Sequence, residues 1–179
     1  IAVFSIAIYA NTLQNGFLYD DAYTVVNNKF IKSLNNLPKL LTKDYFVLST
    51  ETTYRPIVTL TYFLDHAVYG LRPWGFHLTN ILLHAVNGVL LYTFLALLLK
   101  GTIKPFIISL LFVANPVLTE AVNAISFRED ILCFLFYIAA LILYLKSRIN
   151  SFSRKAIEND KPQNLPSPHP NPLPSRERG

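Results

Sequence analysis

Two adjacent carboxylates, Asp20 and Asp21, are the first residues whose type and spacing could support chemistry. They lie in the segment NGFLYDDAYTVVNN, shortly after an apolar N-terminal stretch. One carboxylate of such a pair can act as a general base while its neighbour raises its proton affinity, or both can bind a divalent metal ion. An aspartate that caps a turn or a helix gives the same pattern, so spacing alone leaves all three interpretations open.

A single arginine, Arg55, is the second candidate. It precedes Pro56, which is typical of the first position of a helix, in the segment TYRP. A guanidinium at the start of a helix that lies in the membrane interface can bind phosphate through two parallel hydrogen bonds. It can equally extend to lipid headgroups without any specific ligand.

A cluster of charged residues between two apolar segments is the third candidate. Its members are Glu120, Arg128, Glu129 and Asp130. Ionisable side chains at membrane depth commonly face the interior of a helix bundle and mark a functional path. Arg128 could also pair with Glu120 or Asp130 as a purely structural bridge, and the sequence does not decide between the two.

A polar stripe along one apolar segment is the fourth candidate, formed by His77, Asn80, His84 and Asn87. Their spacing places all four on one face of a helix, and this face must contact protein or water rather than lipid. Packing between helices accounts for Asn80, His84 and Asn87. His77 lies nearest the outer surface and is the site candidate. Because no cysteine or carboxylate completes a ligand set, we predict no zinc site here.

Apolar segments must position these residues. The 179 residues are 52% apolar and only 15% charged, against about 25% charged in soluble domains. Residues 131–145 carry no charge, which excludes an ordinary soluble domain and a disordered chain. The sequence predicts an all-α polytopic membrane helical bundle. Its net charge of +5 lies mostly beside apolar segments and forms no basic stripe with aromatic residues, so we expect no nucleic-acid partner.

Hydropathy divides the chain into six segments. Residues 1–13 are interpreted as a truncated transmembrane helix, since the basic region of a cleaved signal peptide is missing. Residues 14–74 form an outer loop with amphipathic interfacial helices near 33–41 and 56–69. The remaining segments are transmembrane helices at 75–99, 103–123 and 128–147, and a cytoplasmic basic segment with a disordered Pro-rich tail at 148–179.

Basic residues predict the orientation of these helices. Lys100 and Lys104 lie between the second and third helices, and Lys146 and Arg148 follow the fourth. The positive-inside rule assigns both regions to the cytoplasmic side. The two polar segments 14–74 and 120–130 then share the outer face of the membrane.

Three motifs occur in a fixed order: FLYDDAYTVVNN, then TYRPIVTLTYFLDHAVYGLRPWGFHLTNILLHAVN, then ANPVLTEAVNAISFREDIL. Together they resemble the N-terminal membrane part of the transmembrane and tetratricopeptide-repeat O-mannosyltransferase family and its bacterial relatives. These are similar to the wider GT-C group of glycosyltransferases that use polyprenyl-phosphate donors. The resemblance covers about residues 1–147.

The resemblance implies a membrane enzyme that transfers a sugar, possibly mannose, from a polyprenyl-phosphate carrier to a Ser or Thr hydroxyl of a protein. Asp20 or Asp21 would be the general base, and Arg55 and Arg128 would bind the donor phosphate. His77, Glu120 and Asp130 match further site positions of the family. No cofactor is expected with certainty, although a divalent metal ion remains possible. Expected partners are the lipid-linked sugar, the protein acceptor and the bilayer.

Two motifs depart from the family pattern. The family's HPVHTE is NPVLTE here, with Asn115 and Leu118 in place of histidines, and its GRAD-type sequence is FRED, with Phe127 in place of glycine. The tetratricopeptide repeats do not appear, so the chain is expected to be a fragment. The alternative interpretations are a non-catalytic membrane scaffold or an inactive truncated pseudoenzyme, and then a transporter. The Pro-rich tail favours a bacterial inner membrane, with the site facing the periplasm.

Overall fold

Every regular element in the described part of the chain is helical. The computed structural model describes residues 1–49, 51–99 and 101–159, and no strand occurs in these ranges. The α-helices are α1 (Ala2–Tyr9), α2 (Asp44–Ser49), α3 (Pro56–Tyr69), α4 (Pro73–Leu99), α5 (Ile103–Val113), α6 (Thr119–Asn123) and α7 (Arg128–Asn159). The chain divides into two compact units, Ile1–Tyr144 and Leu145–Gly179, and all candidate residues lie in the first. The predicted all-α membrane fold is confirmed.

Two helical segments of the described chain are long and apolar enough to cross a membrane. They are Pro73–Leu99 and Ile125–Arg154, with mean hydropathies of 2.0 and 1.9. Only 28% and 22% of their most apolar windows are buried within the protein, so most of their apolar side chains are available to lipid. A third span exists if α5 and the following residues 116–123 are counted as one bent segment.

The segment predicted as one helix over 103–123 is bent. Its two halves, Ile103–Val113 and Pro116–Asn123, meet at an angle of 47°. Pro116 lacks an N–H and disfavours the helical conformation in the residue before it, and Asn115 is accordingly extended. The side chain of Asn115 accepts a hydrogen bond from the N–H of Val117, which starts the second half. The sequence contained this signal in the dipeptide Asn115-Pro116.

The polar stripe on α4 satisfies backbone groups around this bend. All four of its side chains are buried, as their spacing predicted. The amide of Asn80 donates to the carbonyls of Val122 and Ala124, and Nε2 of His84 lies 3.4 Å from the carbonyl of Val113. Carbonyls at helix ends have no partner within their own helix, and lipid offers none. The stripe therefore allows irregular backbone at membrane depth.

The outer segment 14–74 has an apolar core of its own. Buried residues of this segment pack with residues of the α4 and α7 regions: Val25, Phe30, Ile31, Leu40, Tyr45, Val58, Tyr62, Phe63, Phe76, Ile125 and Leu132. The predicted helix at 33–41 is a 3₁₀ helix at Leu34–Leu41, with Pro38 inside it. The segment 14–74 is thus folded against α4 and the start of α7.

Helix α3 exposes several of its apolar side chains and buries a mixed face. Leu60, Leu64 and Val68 are exposed, whereas the buried face includes Thr59 and Asp65. An interfacial helix presents its apolar face to the bilayer, so these leucines and the valine occupy the position expected for lipid contact. The side of α3 that faces the protein carries both apolar and polar residues, because Asp65 on this side pairs with the buried charge of Arg128.

Helix α7 continues beyond the predicted end at residue 147, to Asn159. The basic segment predicted after residue 147 is therefore helical. The Pro-rich part of the tail, residues 160–179, lies outside the described residues.

We predict that Tyr62→Phe destabilises the protein by about 1–3 kcal/mol, since a buried carbonyl loses its hydrogen-bond donor. The Tyr62 hydroxyl lies 2.8 Å from the carbonyl oxygen of Ile125 and ties α3 to the start of the second membrane span. The measurement is thermal unfolding in detergent micelles. Tyr69→Phe, at the other end of α3 where the ring packs on Trp74, is the matched control and should change stability by less than about 0.5 kcal/mol. Equal effects of the two changes would contradict this role for Tyr62.

Candidate functional site

The two adjacent aspartates have different environments. Asp21 is fully buried, and its carboxylate accepts hydrogen bonds from two backbone N–H groups, those of Leu18 at 3.0 Å and Ser126 at 2.7 Å. It therefore joins the first outer segment to the segment before α7, 105 residues away in sequence. Asp20 is exposed and keeps its carboxylate at the surface.

The backbone around the pair is unusual and tightly bonded. Tyr19 has a φ of 47°, a left-handed conformation that is uncommon for residues other than glycine. A π-helical turn at Ala22–Val26 follows, and the carbonyl of Asp20 accepts hydrogen bonds from the N–H groups of Tyr23 and Thr24. Strained residues and π-helical turns concentrate at functional sites. Here they fix the position from which the Asp20 side chain leaves the backbone.

Asp20 opens into a cavity that we call the polar pocket. Its volume is about 270 Å³, and its lining residues are Asp20, Tyr23, Thr24, Glu51, Thr52 and Arg55. Two stretches of the outer segment, residues 20–24 and 51–55, thus supply carboxylates, hydroxyls and one guanidinium to a single cavity. Such a set suits a hydroxyl-rich ligand that carries an anionic group.

Arg55 is held between two carboxylates. Its Nη2 lies 2.5 Å from Oε2 of Glu51, and its Nη1 lies 2.5 Å from Oε1 of Glu129. Burial opposes the charged form, but the two acids outweigh burial and raise the pKa of Arg55 above its ordinary value. The guanidinium is therefore a permanent cation whose hydrogen-bonding fork is already occupied by carboxylate oxygens.

Arg55 also borders a second cavity, which we call the apolar groove. The groove has a volume of about 240 Å³ and is lined by Arg55, Pro56, Ile57, Val58, Glu129, Leu132, Cys133 and Phe136. It runs between the start of α3 and the first turns of α7, beside the candidate membrane span. One guanidinium thus separates a hydroxyl-lined cavity from an apolar one.

Arg128 occupies the protein interior and has no exposed surface. It forms an ion pair with Asp65 at 2.6 Å, and its guanidinium carbon Cζ lies 4.8 Å from the centroid of the Tyr62 ring. Its remaining donors bond to Asn80 Oδ1, Thr61 Oγ1 and the carbonyl of Phe76, at 2.6, 2.9 and 2.9 Å. This is the geometry of a structural bridge, one of the two interpretations that the sequence left open. Its partner is Asp65 of α3, not Glu120 or Asp130 as the sequence suggested.

Two acids that the sequence analysis did not select, Asp65 and Glu51, hold the two arginines. Burial raises the pKa of Asp65, although Arg128 and the hydroxyl of Thr79 favour its ionised form. The signal for Asp65 was a carboxylate within an otherwise apolar helix. The signal for Glu51 was its position four residues before Arg55, a common spacing for an ion pair.

The other predicted site residues lie apart from the polar pocket. His77 is buried, with Nε2 3.3 Å from the carbonyl of Gly16 and no hydrogen-bond partner on Nδ1. Glu120 and Asp130 are exposed, and Asp130 lines a separate cavity of about 160 Å³ beside His84 and Asn87. Among the described residues there is no group of three or more side chains that could bind a metal ion.

Sequence comparison finds relatives that match most of this chain. Human protein O-mannosyl-transferase TMTC2 is 36% identical over 146 residues, which cover 79% of this chain and 18% of the relative. Human TMTC3 is 33% identical over 147 residues (79% and 16%), and protein O-mannosyl-transferase F38B6.6 of Caenorhabditis elegans is 33% identical over 153 residues (80% and 22%). The chain spans about a fifth of the length of these curated relatives. No protein-family model and no solved structure matches it.

We predict that Arg128→Met destabilises the fold by about 3–5 kcal/mol, because Asp65 is left as an uncompensated buried charge. Arg128→Met combined with Asp65→Leu should recover a large part of this loss. Arg72→Met, which removes an exposed guanidinium, is the control and should change stability by less than about 0.5 kcal/mol. Unfolding in detergent measures all of these variants. A stable Arg128→Met protein would show that Arg128 is not the structural bridge described here.

Proposed function

The chain belongs to the transmembrane and tetratricopeptide-repeat O-mannosyltransferase family, and from this premise we propose that it forms the donor-binding outer face of a membrane glycosyltransferase of protein O-mannosylation. Three of its relatives are named protein O-mannosyl-transferases. The observation that carries the proposal is the position of Arg55 between the polar pocket with Asp20 and the apolar groove beside α7. An enzyme that uses a lipid-linked sugar needs an apolar site for the lipid chain, a cation for the phosphate and a polar site for the sugar, in that order.

The proposed donor is a sugar linked to a polyprenyl phosphate. Such a molecule has an apolar chain, a phosphodiester with one negative charge and a hydroxyl-rich sugar, in that order. The chain would enter the apolar groove from the bilayer, the phosphate would contact Arg55, and the sugar would occupy the polar pocket. Arginine suits the phosphate because its guanidinium stays charged and can donate charge-assisted N–H bonds to phosphate oxygens.

The proposed reaction needs one base and one cation. The carboxylate of Asp20 takes the proton from a Ser or Thr hydroxyl of the acceptor as the hydroxyl oxygen attacks the anomeric carbon of the sugar. The bond between that carbon and the phosphate oxygen breaks, and its electron pair leaves with the phosphate. The phosphate gains a second negative charge, which Arg55 stabilises. The products are the glycosylated acceptor and polyprenyl phosphate.

The other candidates take supporting roles in this proposal. Asp21 positions Asp20 through its bonds to the backbone N–H groups of Leu18 and Ser126. Arg128 holds α3, α4 and α7 together, so the phosphate-binding role predicted for it falls to Arg55 alone. His77 contacts the carbonyl of Gly16 and supports the segment before the acid pair. The roles of Glu120 and Asp130 stay predictions, and no step uses a metal ion.

The protein is an integral membrane protein by its two long apolar helices. We propose that the polar pocket faces the side opposite the cytoplasm, which is the periplasm in the bacterial inner membrane that the tail composition favours. The order of residues in the sequence supports this proposal. Asp20 and Arg55 precede α4, whereas Lys104 follows α4, and Lys146 and Arg148 follow the last apolar stretch.

We expect Asp20→Asn to abolish sugar transfer while leaving folding unchanged, because it removes the base but no structural bond. The assay uses the complete gene product in vesicles with a radiolabelled polyprenyl-phosphate sugar and counts label that reaches protein. A loss of at least about 100-fold is expected for a missing general base. Asp44→Asn, an exposed acid of the same outer segment in α2, is the matched control and should keep full activity.

The Asp21→Asn variant distinguishes the roles of the two aspartates. It weakens the bonds to Leu18 and Ser126, so we expect lower thermal stability in addition to lower activity.

Full transfer by the Asp20→Asn variant would falsify the assignment of the base. No transfer by the wild type, with several sugars and correct membrane insertion, would instead favour a scaffold or an inactive relative.

Orientation has its own test. Cys133 is the only cysteine, so a Cys133→Ser protein accepts single new cysteines as reporters. In intact cells we expect a membrane-impermeant maleimide to label Lys43→Cys in the outer segment, and to label Thr102→Cys between α4 and α5 only after permeabilisation. The opposite pattern would invert the proposed topology.

A further inference from the structure

The two carboxylates that hold Arg55 are not equivalent. The Glu51 side chain is 4% exposed and lines the polar pocket. The Glu129 side chain is 30% exposed and lines the apolar groove. Both lie 2.5 Å from a guanidinium nitrogen, but only Glu129 is on the side from which an amphipathic ligand with an apolar chain would arrive.

Glu129 is also the less completely bonded of the two. Its Oε2 is buried and has no hydrogen-bond partner among the described residues, so half of the carboxylate is desolvated without compensation. Glu51 follows the turn at the end of α2, where its own N–H bonds to Oγ of Ser49. Moving Glu129 outward returns an unsatisfied oxygen to water, whereas Glu51 has no buried oxygen that lacks a hydrogen bond within the described residues.

From these differences, and resting on the proposed function, we propose that Glu129 is a displaceable counter-ion of Arg55: the donor phosphate replaces it on Nη1 while Glu51 stays on Nη2 and keeps the guanidinium oriented. Glu51 is then a positioning residue, and Glu129 sets which headgroups can bind. Arg55, Glu51 and Glu129 carry a net charge of −1 together, from one cation and two anions. An incoming phosphodiester is therefore repelled unless one carboxylate leaves.

The exchange gives the site selectivity for anionic lipids. A phosphate with one negative charge replaces the carboxylate, so the guanidinium still contacts a single negative charge on Nη1. The hydroxyl of a polyprenol brings no charge and cannot compete with the carboxylate. After transfer the phosphate carries a second charge and is held more strongly by Arg55. The return of Glu129 to Nη1 then competes with the product and accelerates its release.

Binding of polyprenyl monophosphate to this chain in phosphatidylcholine vesicles tests the proposal, since this product shares the prenyl chain and the phosphate of the donor. The uncharged polyprenol is the comparison ligand. Glu129→Gln should bind polyprenyl phosphate about tenfold more tightly than the wild type, because the competing anion is gone. Glu51→Gln removes the same charge at the same distance but from the carboxylate that stays, so its affinity should change by no more than about threefold. Binding of polyprenol should be the same in all variants, and Asp44→Asn is the surface-charge control.

Three results would be decisive. If Glu51→Gln tightens binding as much as Glu129→Gln, the assignment of the displaced carboxylate is overturned. If the wild type binds polyprenyl phosphate but Glu129→Gln binds it no better, the exchange is overturned while the proposed donor stands. If no variant binds the phosphate better than polyprenol, the proposed donor itself fails.

Kinetics of the complete gene product add an independent readout. Under the exchange, Glu129→Gln lowers KM for the donor and also lowers kcat, because the product leaves more slowly. A change in stability alone would not produce opposite effects on donor affinity and turnover, and unaltered thermal unfolding of the variant confirms that its fold is intact. A kcat and KM both equal to those of the wild type would overturn the exchange.

Discussion

A buried guanidinium determines how the helices of this protein meet. Arg128 has no exposed surface, and a charge in that position must be neutralised and fully hydrogen-bonded. Asp65 of α3, Asn80 of α4 and the backbone of Phe76 together meet this requirement. Three helices are therefore fixed to one side chain: α7, which carries Arg128, and its partners α3 and α4.

A second buried charge fixes the loops in the same way. Asp21 has two oxygens and places each on a backbone N–H from a different part of the chain, Leu18 and Ser126. Asp21 of the acid pair and Arg128 of the two candidate arginines thus have structural roles. Asp20 and Arg55 remain as the partly exposed members, and they share the polar pocket.

Sequence reasoning predicted the all-α membrane fold and the burial of the stripe on α4, because hydropathy and helical spacing are strong signals. It did not separate Asp20 from Asp21, since their difference is burial by a segment more than 100 residues away. It offered Glu120 and Asp130 as structural partners of Arg128 and did not consider Asp65, which lies on the protein-facing side of α3. The bend at Asn115-Pro116 was readable from the sequence, since proline disfavours continued helix.

Three consecutive residues at the start of α7 show what periodicity alone can establish about the site. Successive side chains on a helix point about 100° apart, so Arg128, Glu129 and Asp130 cannot all face one ligand. The structure gives them three surroundings: the interior, the apolar groove and the cavity beside His84. Since Arg128 must face inward to meet Asp65, Glu129 is directed to the groove where Arg55 lies. The counter-ion of the proposed phosphate site is thus positioned by the same buried ion pair that holds the helices together.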